Sequence, residues 1–67
     1  MVKAFAERIR DIRIEKGLTQ QAVADYLQID RTTYTKYEIG AAEPHLETLW
    51  LLAQLFETTT DALLRPE

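Results

Sequence analysis

The sequence predicts a small all-α domain made of five short helices. Apolar residues recur at intervals of three and four along most of the chain, which is the spacing of one helix face, and no stretch alternates with the period of two that a strand shows. Breaks of two to seven residues separate these segments. The chain has 67 residues, which suits one domain over 1–67.

The first helix is predicted over 2–16. Its inward stripe consists of Val2, Phe5, Ile9 and Ile12. Ile14 lies opposite this stripe and is expected to be exposed. Lys16 and Gly17 then give a basic last turn followed by a glycine, which is typical of a helix end.

The second helix is predicted over 19–27 and the third over 30–38. Each begins at a residue type that caps helices, Thr19 and Asp30. Tyr34 and Tyr37 are three residues apart on one face of the third helix, so we expect them in the core rather than stacked on bases. Their hydroxyls are expected to reach polar partners near the surface.

The fourth helix is predicted over 46–56, after Pro44, and the fifth over 60–64. The inward stripe of the fourth helix is predicted to contain Leu46, Leu49, Ala53 and Phe56, widened by Trp50 and Leu52.

The composition excludes several classes of function. The chain has no cysteine and one histidine, His45, so neither a disulfide framework nor a structural zinc site is expected. We find no nucleophile–base arrangement, phosphate loop or cofactor motif, and therefore expect neither an enzyme nor a cofactor. The longest apolar run has four residues, which excludes a membrane span, and the start has no signal-type segment, so a cytoplasmic location is expected.

Charge is unevenly distributed along the chain. The formal net charge of −3 argues against nucleic-acid binding by bulk charge alone. Residues 1–40 nevertheless carry a net charge of +1, whereas residues 41–67 carry −4. Any contact with a polyanion is therefore expected in the first part.

The stretch from Leu18 to Gly40 is the informative one. A helix from Thr19, a very short break at Gln28 and Ile29, and a second helix from Asp30 make a helix–turn–helix. In this motif the first helix crosses a phosphate backbone while the second enters a major groove about 12 Å wide by its N-terminal end.

This stretch, LTQQAVADYLQIDRTTYTKYEIG, resembles the lambda-repressor/Cro-like (Xre) helix–turn–helix family. Upstream, FAERIRDIRIEKG is similar to the first helix of that family, and EPHLETLWLLAQLFETTTDALL is similar to its last two helices. The resemblance covers nearly the whole chain and implies a compact five-helix DNA-binding domain.

The resemblance also implies roles for individual residues. Base reading falls to Arg31, Thr32 and Lys36 of the recognition helix. Phosphate contact or positioning falls to Gln20, Thr33, Thr35 and Arg13. Arg13 and Glu38 match a family pair that joins the first helix to the end of the third, which we interpret as an orienting ion pair.

The chain departs from the family pattern at several places. Gln28 stands where glycine is usual, which adds strain if the backbone there needs a positive φ. After Gly40, where family members often have basic residues, the chain has Ala41, Ala42 and Glu43. Fewer phosphate contacts imply weaker binding per monomer and a shallower salt dependence.

A homodimer is also expected. Leu51 and Leu55 are four residues apart on the fourth helix, on the side opposite Leu46, and would be exposed to solvent in a monomer. The predicted interface contains Trp50, Leu51, Leu55, Leu63 and Leu64.

Together these observations predict a sequence-specific regulator of transcription, with repression the expected action, that binds a near-palindromic operator in double-stranded DNA as a homodimer. The alternative is an antitoxin-like or anti-repressor-like protein-interaction module with weak DNA binding, which the acidic second part and the bare segment after Gly40 favour. A protein regulator is a further expected partner, and no membrane partner is expected.

Overall fold

The computed structural model describes residues 2–64, with side chains from Phe5 onward. It contains five α-helices, namely α1 (Val2–Glu15), α2 (Gln20–Leu27), α3 (Arg31–Glu38), α4 (Leu46–Leu55) and α5 (Thr60–Leu64), and no strand within that range. The all-α, five-helix prediction is confirmed, and each predicted helix bound lies within one residue of the observed one. The predicted inward side chain of Val2 lies outside the described side chains. No helix in the described range is long and apolar enough to cross a bilayer.

Three helix ends have the same backbone pattern as the end of α1. There, Gly17 has a φ of 72°, its N–H donates to Ile14, and the N–H of Leu18 donates to Arg13. This pair of backbone hydrogen bonds satisfies the last carbonyls of a helix and requires one residue with a left-handed backbone conformation. The corresponding left-handed residues after α2, α3 and α4 are Gln28, Gly40 and Glu57.

The N-termini of the helices differ in how they are capped. The Thr19 hydroxyl accepts a hydrogen bond from the N–H of Ala22 at 3.0 Å, and the Thr59 hydroxyl accepts one from Ala62 at 3.0 Å. Asp30 occupies the capping position of α3, as predicted, but its carboxylate makes no capping hydrogen bond. The predicted position is therefore right and the predicted bond is absent.

The core lies where α3 is enclosed by α1 and α2, with α4 behind α2 and α5 against α1 and α4. Its members are Phe5, Ile9, Val23, Ala24, Leu27, Tyr34, Tyr37, Leu49, Leu52, Ala53, Phe56 and Leu63. Ile12 packs against this core, and Ile14 is 51% exposed, as predicted. The guanidinium of Arg8 donates to the carbonyl of Leu63 at 3.0 Å, which ties α1 to α5.

The prediction for the inward face of α4 is only partly right. Leu49 and Leu52 are buried, but Leu46 is 85% exposed and Trp50 is 54% exposed. Leu46 is the first residue of α4, and it lies four residues before Trp50, so the two share a face that is turned from the core. The core side of α4 is set by α2 and α5, which pack against it.

Candidate nucleic-acid interface

The α2–α3 unit is held by its turn and by the packing of the two helices against each other. Ala24 of α2 is completely buried, and its small side chain allows a neighbouring helix to pack closely. In the turn, Gln28 has a φ of 61°, and the N–H of Ile29 donates to the carbonyl of Ala24 at 3.0 Å. The backbone at this position does need a positive φ, so Gln28, which bears a side chain, occupies a conformation that glycine adopts more readily.

One face of α3 is sunk in the core and the other faces outward. Tyr34 is completely buried and Tyr37 is 6% exposed, and their rings meet edge to face with centroids 6.2 Å apart. Arg31, Thr32 and Lys36, the predicted base-reading residues, are all exposed on the outward side. Thr33 and Thr35 lie at its margins and are half-buried. The predicted division of α3 into a core face and an outward face is confirmed.

The predicted Arg13–Glu38 pair is formed, and it joins α1 to the end of α3. Nε of Arg13 donates to Oε2 of Glu38 at 2.6 Å, and Nη2 donates to Oε1 at 3.2 Å. The remaining nitrogen, Nη1, donates to the carbonyl of Leu18 at 2.9 Å. Every guanidinium nitrogen therefore has an acceptor within the chain, and this favours the orienting role of Arg13 over the direct phosphate contact also predicted for it.

Gln20 and Thr35 extend this pair into a network that spans three helices. Nε2 of Gln20 donates to Oε1 of Glu38 at 3.0 Å. The Thr35 hydroxyl has two acceptors within reach, the carbonyl of Arg31 at 2.9 Å and Oε1 of Gln20 at 3.3 Å. Both side chains thus brace α3 against α2. The sequence suggested bracing for Gln20, but the Gln20–Thr35 contact depends on the helix crossing and has no signal in the spacing of residues.

Burial and hydrogen bonding act on Glu38 in opposite directions. Its side chain is only 2% exposed, and burial alone would raise its pKa. The donors around it, with Arg13 first, outweigh burial, so the pKa of Glu38 lies below the usual value of 4.5. The same pairing raises the pKa of Arg13. The pair is therefore ionised at neutral pH.

The Tyr34 hydroxyl does not have the polar partner that was predicted for it. The hydroxyl oxygen is buried and makes no hydrogen bond. Burial, together with the nearby Glu38 carboxylate, raises the pKa of Tyr34 above its usual value. The prediction failed because the ring is inserted fully into the core, so its polar end stops beside the ion pair rather than at the surface.

The segment after α3 presents few groups for a phosphate. Ile39 is 69% exposed, and Ala41 and Glu43 are also exposed. No group of histidine, aspartate or glutamate side chains in the described range could hold a metal ion.

The residues predicted to form the dimer surface differ in their exposure in the structure. Trp50 and Leu64 are exposed, at 54% and 53%. Leu51 and Leu55, expected to be wet, are partly buried and pack against the core. Leu63 is completely buried and cannot meet a partner; this prediction was wrong because α5 turns Leu63 inward against α1 and α4. Leu46 was not predicted to be exposed.

Comparison with known proteins points to one family. A family model described as "Helix-turn-helix" matches residues 9–63. A prophage-derived regulator of Bacillus subtilis, the SPbeta HTH-type transcriptional regulator YonR, is 49% identical over 61 residues, covering 91% of this chain and 56% of that protein. The CTXphi transcriptional repressor RstR of Vibrio cholerae is 40% identical over 52 residues, covering 78% of this chain and 47% of that protein. The chain thus spans about half the length of these relatives.

A solved structure has the same fold. The restriction-modification controller protein C.AhdI from Aeromonas hydrophila has a TM-score of 0.85 and 27% sequence identity, covering 92% of this chain and 94% of that chain. The sequence relatives are transcriptional regulators, not enzymes, in agreement with the expectation that this chain is not an enzyme.

Proposed function

Because this chain belongs to the helix-turn-helix family, we propose that it is the DNA-binding domain of a transcriptional regulator that recognises a specific sequence in double-stranded DNA. The observation that carries the proposal is the outward face of α3, where Arg31, Thr32 and Lys36 are exposed together above a buried pair of tyrosines. Repression by occupation of an operator is the simplest action for such a domain, and the proposal includes a cytoplasmic location, where operator DNA lies.

In the proposed complex, α3 enters the major groove by its N-terminal end while α2 crosses the backbone. Arg31 pairs with O6 and N7 of guanine, a contact worth about 1–3 kcal/mol of discrimination. Thr32 meets a thymine methyl or a polar base edge, and Lys36 reaches a base or a phosphate farther along the groove. Thr33 lies at the margin of the face, where a phosphate contact suits its hydroxyl.

The proposed role of the Arg13–Glu38–Gln20–Thr35 network is to hold α3 at one angle to α1 and α2. A recognition helix that is already oriented loses less conformational freedom on binding. The network makes its contacts within the chain, so these side chains act on DNA binding through α3. Arg31 and Lys36 are the exposed cations of α3, and a pair of protomers making about four phosphate contacts would lose about 10²-fold in affinity between 50 and 200 mM salt.

Selection of bound sites from random duplex DNA tests the proposal. We expect an enriched sequence, and we expect Arg31→Ala to relax one position of it with an affinity loss of about 5- to 150-fold. Lys36→Ala should weaken binding and reduce the salt slope by about one. Lys16→Ala is the control, because it also removes one positive charge. Nζ of Lys16 lies 3.5 Å from Oε1 of Glu57, just after α4, and we expect this variant to keep the base preference of the parent. The absence of enrichment even at low salt would refute the proposal.

The proposal further includes a symmetric homodimer that reads a near-palindromic site. An exposed apolar face on α4, made by Leu46 and Trp50, supports it, with Leu64 of α5 also exposed. Leu51 and Leu55 lie on the flank of α4 and offer their partly exposed surface to the same contact. Two recognition helices about 34 Å apart would then meet successive major grooves.

Sedimentation at micromolar concentration tests the dimer. We expect the parent to associate and Trp50→Glu to be monomeric. Ile14→Glu makes the same change at a residue of α1 that is 51% exposed, and should associate as the parent does. Association of Trp50→Glu equal to that of the parent would exclude this face. An asymmetric selected site would exclude the palindrome, and exposed Leu46 and Trp50 would then favour the alternative, a surface for a different protein.

A further inference from the structure

Asp30 is an aspartate in a capping position that does not cap. Thr19 and Thr59, in the corresponding positions of α2 and α5, each accept a hydrogen bond from a backbone N–H at 3.0 Å. Asp30 has the same extended backbone, with φ −70° and ψ 148°, but its carboxylate makes no such bond. Aspartate is among the best capping residues. Its carboxylate therefore does not make the capping bond that the sequence alone suggests.

The carboxylate is also exposed and without a partner. Asp30 is exposed, and its side chain makes no hydrogen bond or ion pair with any residue in the described part of the chain. The next residue, Arg31, is exposed as well. Within the described part of the chain, the Asp30 carboxylate and the Arg31 guanidinium are thus both available to a ligand. They are neighbours at the N-terminal end of α3, which the proposed docking directs into the major groove.

The chemistry of base edges limits what a carboxylate can meet there. It is repelled by phosphates and by the acceptors of guanine and thymine. Adenine offers an amino group, but an acceptor, N7, lies beside it and suits a neutral amide better. The N4 amino group of cytosine is the donor that a carboxylate reads best.

We propose that Asp30 is a specificity-determining residue that accepts a hydrogen bond from the N4 amino group of cytosine in the major groove, next to the base read by Arg31. The inference rests on the proposed DNA-binding function. It deepens that function by assigning to Asp30 a contact that selects cytosine and that, through its negative charge, disfavours other bases and non-specific duplex. A negative charge at this place increases specificity and lowers the affinity for DNA in general.

The test compares selected DNA sites for the parent and for Asp30→Asn, which keeps the shape and removes the charge. We expect the parent to enrich cytosine at one position per half-site, with about tenfold discrimination against thymine there. Asp30→Asn should shift that position towards adenine, because an amide pairs with N6 and N7 of adenine. It should leave the other positions unchanged and bind random duplex more tightly than the parent. Glu15→Gln removes one negative charge from the exposed side of α1 and should change no position.

Thermal melting separates base reading from a structural role. Thr19→Ala should lose about 1 kcal/mol of stability with its cap, whereas Asp30→Asn should melt close to the parent. The inference is overturned if Asp30→Asn keeps the parental preference at every position. It is equally overturned if Asp30→Ala loses as much stability as Thr19→Ala and weakens all sites alike. If the parent enriches no sequence at all, the proposed function itself fails, which is distinct from either result.

Discussion

Replacing Arg13 with methionine removes one partner of the buried ion pair while keeping most of the apolar stem. The change deletes the two bonds to Glu38, at 2.6 and 3.2 Å, and the bond to the Leu18 carbonyl at 2.9 Å. The Glu38 side chain is 2% exposed, and without Arg13 its buried charge would keep the hydrogen bond from Nε2 of Gln20 but would lose its paired cation. Removing one partner of a buried pair costs about 3–5 kcal/mol. Because the Arg13 side chain is still 14% exposed, we expect the lower end, about 3 kcal/mol.

That loss is large for a domain of this size. A 67-residue domain has a total stability of about 3–10 kcal/mol. A loss of about 3 kcal/mol corresponds to a Tm lower by about 12–24 °C. Thermal and urea unfolding followed by circular dichroism measure it. The double variant Arg13→Met/Glu38→Leu is the matched control, and it should recover most of the loss because no unpaired charge stays buried. An Arg13→Met variant within about 0.5 kcal/mol of the parent would show that the pair contributes little to stability.

The pH dependence of the two proteins should have opposite signs. In the parent the pKa of Glu38 is lower in the folded state than its usual value of 4.5. The ionised carboxylate therefore contributes its full stabilisation above pH 4.5, and this contribution is lost as the pH falls through the lowered pKa of the folded state. Without Arg13, burial dominates and raises the pKa of Glu38, so protonation should stabilise the folded variant. The stability gap between parent and Arg13→Met should therefore narrow as pH falls from 7 towards 4.5. A gap independent of pH would contradict this account of Glu38.

Four further changes each alter a single residue. Gln28→Gly should raise the free energy of unfolding by about 1 kcal/mol, because φ is 61° at this residue. Gly17→Ala should lower it by a similar amount because φ is 72° there, although an added Cβ would meet no atom within 4 Å. Urea unfolding midpoints measure both effects. Tyr34→Phe removes a buried hydroxyl that has no hydrogen bond and should leave the Tm unchanged or raised; a loss above about 1 kcal/mol would show that the hydroxyl has a partner. Thr19→Ala should cost about 1 kcal/mol in thermal unfolding, since its hydroxyl accepts from Ala22, and an unchanged Tm would contradict the capping role.

The helix boundaries were predictable because they depend on local features. Thr19 before α2 and Gly17 after α1 act through bonds to residues within five positions of themselves. The outward position of Lys36, on the side of α3 opposite Tyr34, follows from the helical period alone. The Arg13–Glu38 pair was predicted from resemblance, since 25 residues separate its members and no local rule joins them.

The mistaken predictions involve residues whose surroundings come from distant parts of the chain. Leu46 and Leu63 are both leucines within helical patterns, yet one is 85% exposed and the other is completely buried. Periodicity shows which residues share a face of α4 or α5, but the helices that pack against it decide how wide the buried part is.

The local pattern of this chain thus suffices for five helices, their ends and the two sides of α3, because hydrogen bonds and apolar spacing within a helix involve only near neighbours. The contact of Gln20 with Thr35, the isolation of the Tyr34 hydroxyl and the uncapped carboxylate of Asp30 emerge only after the helices have packed. Whether a polar atom has a hydrogen-bond partner on another helix depends on the angle at which the two helices cross. That angle is set by the packing of all the core side chains together.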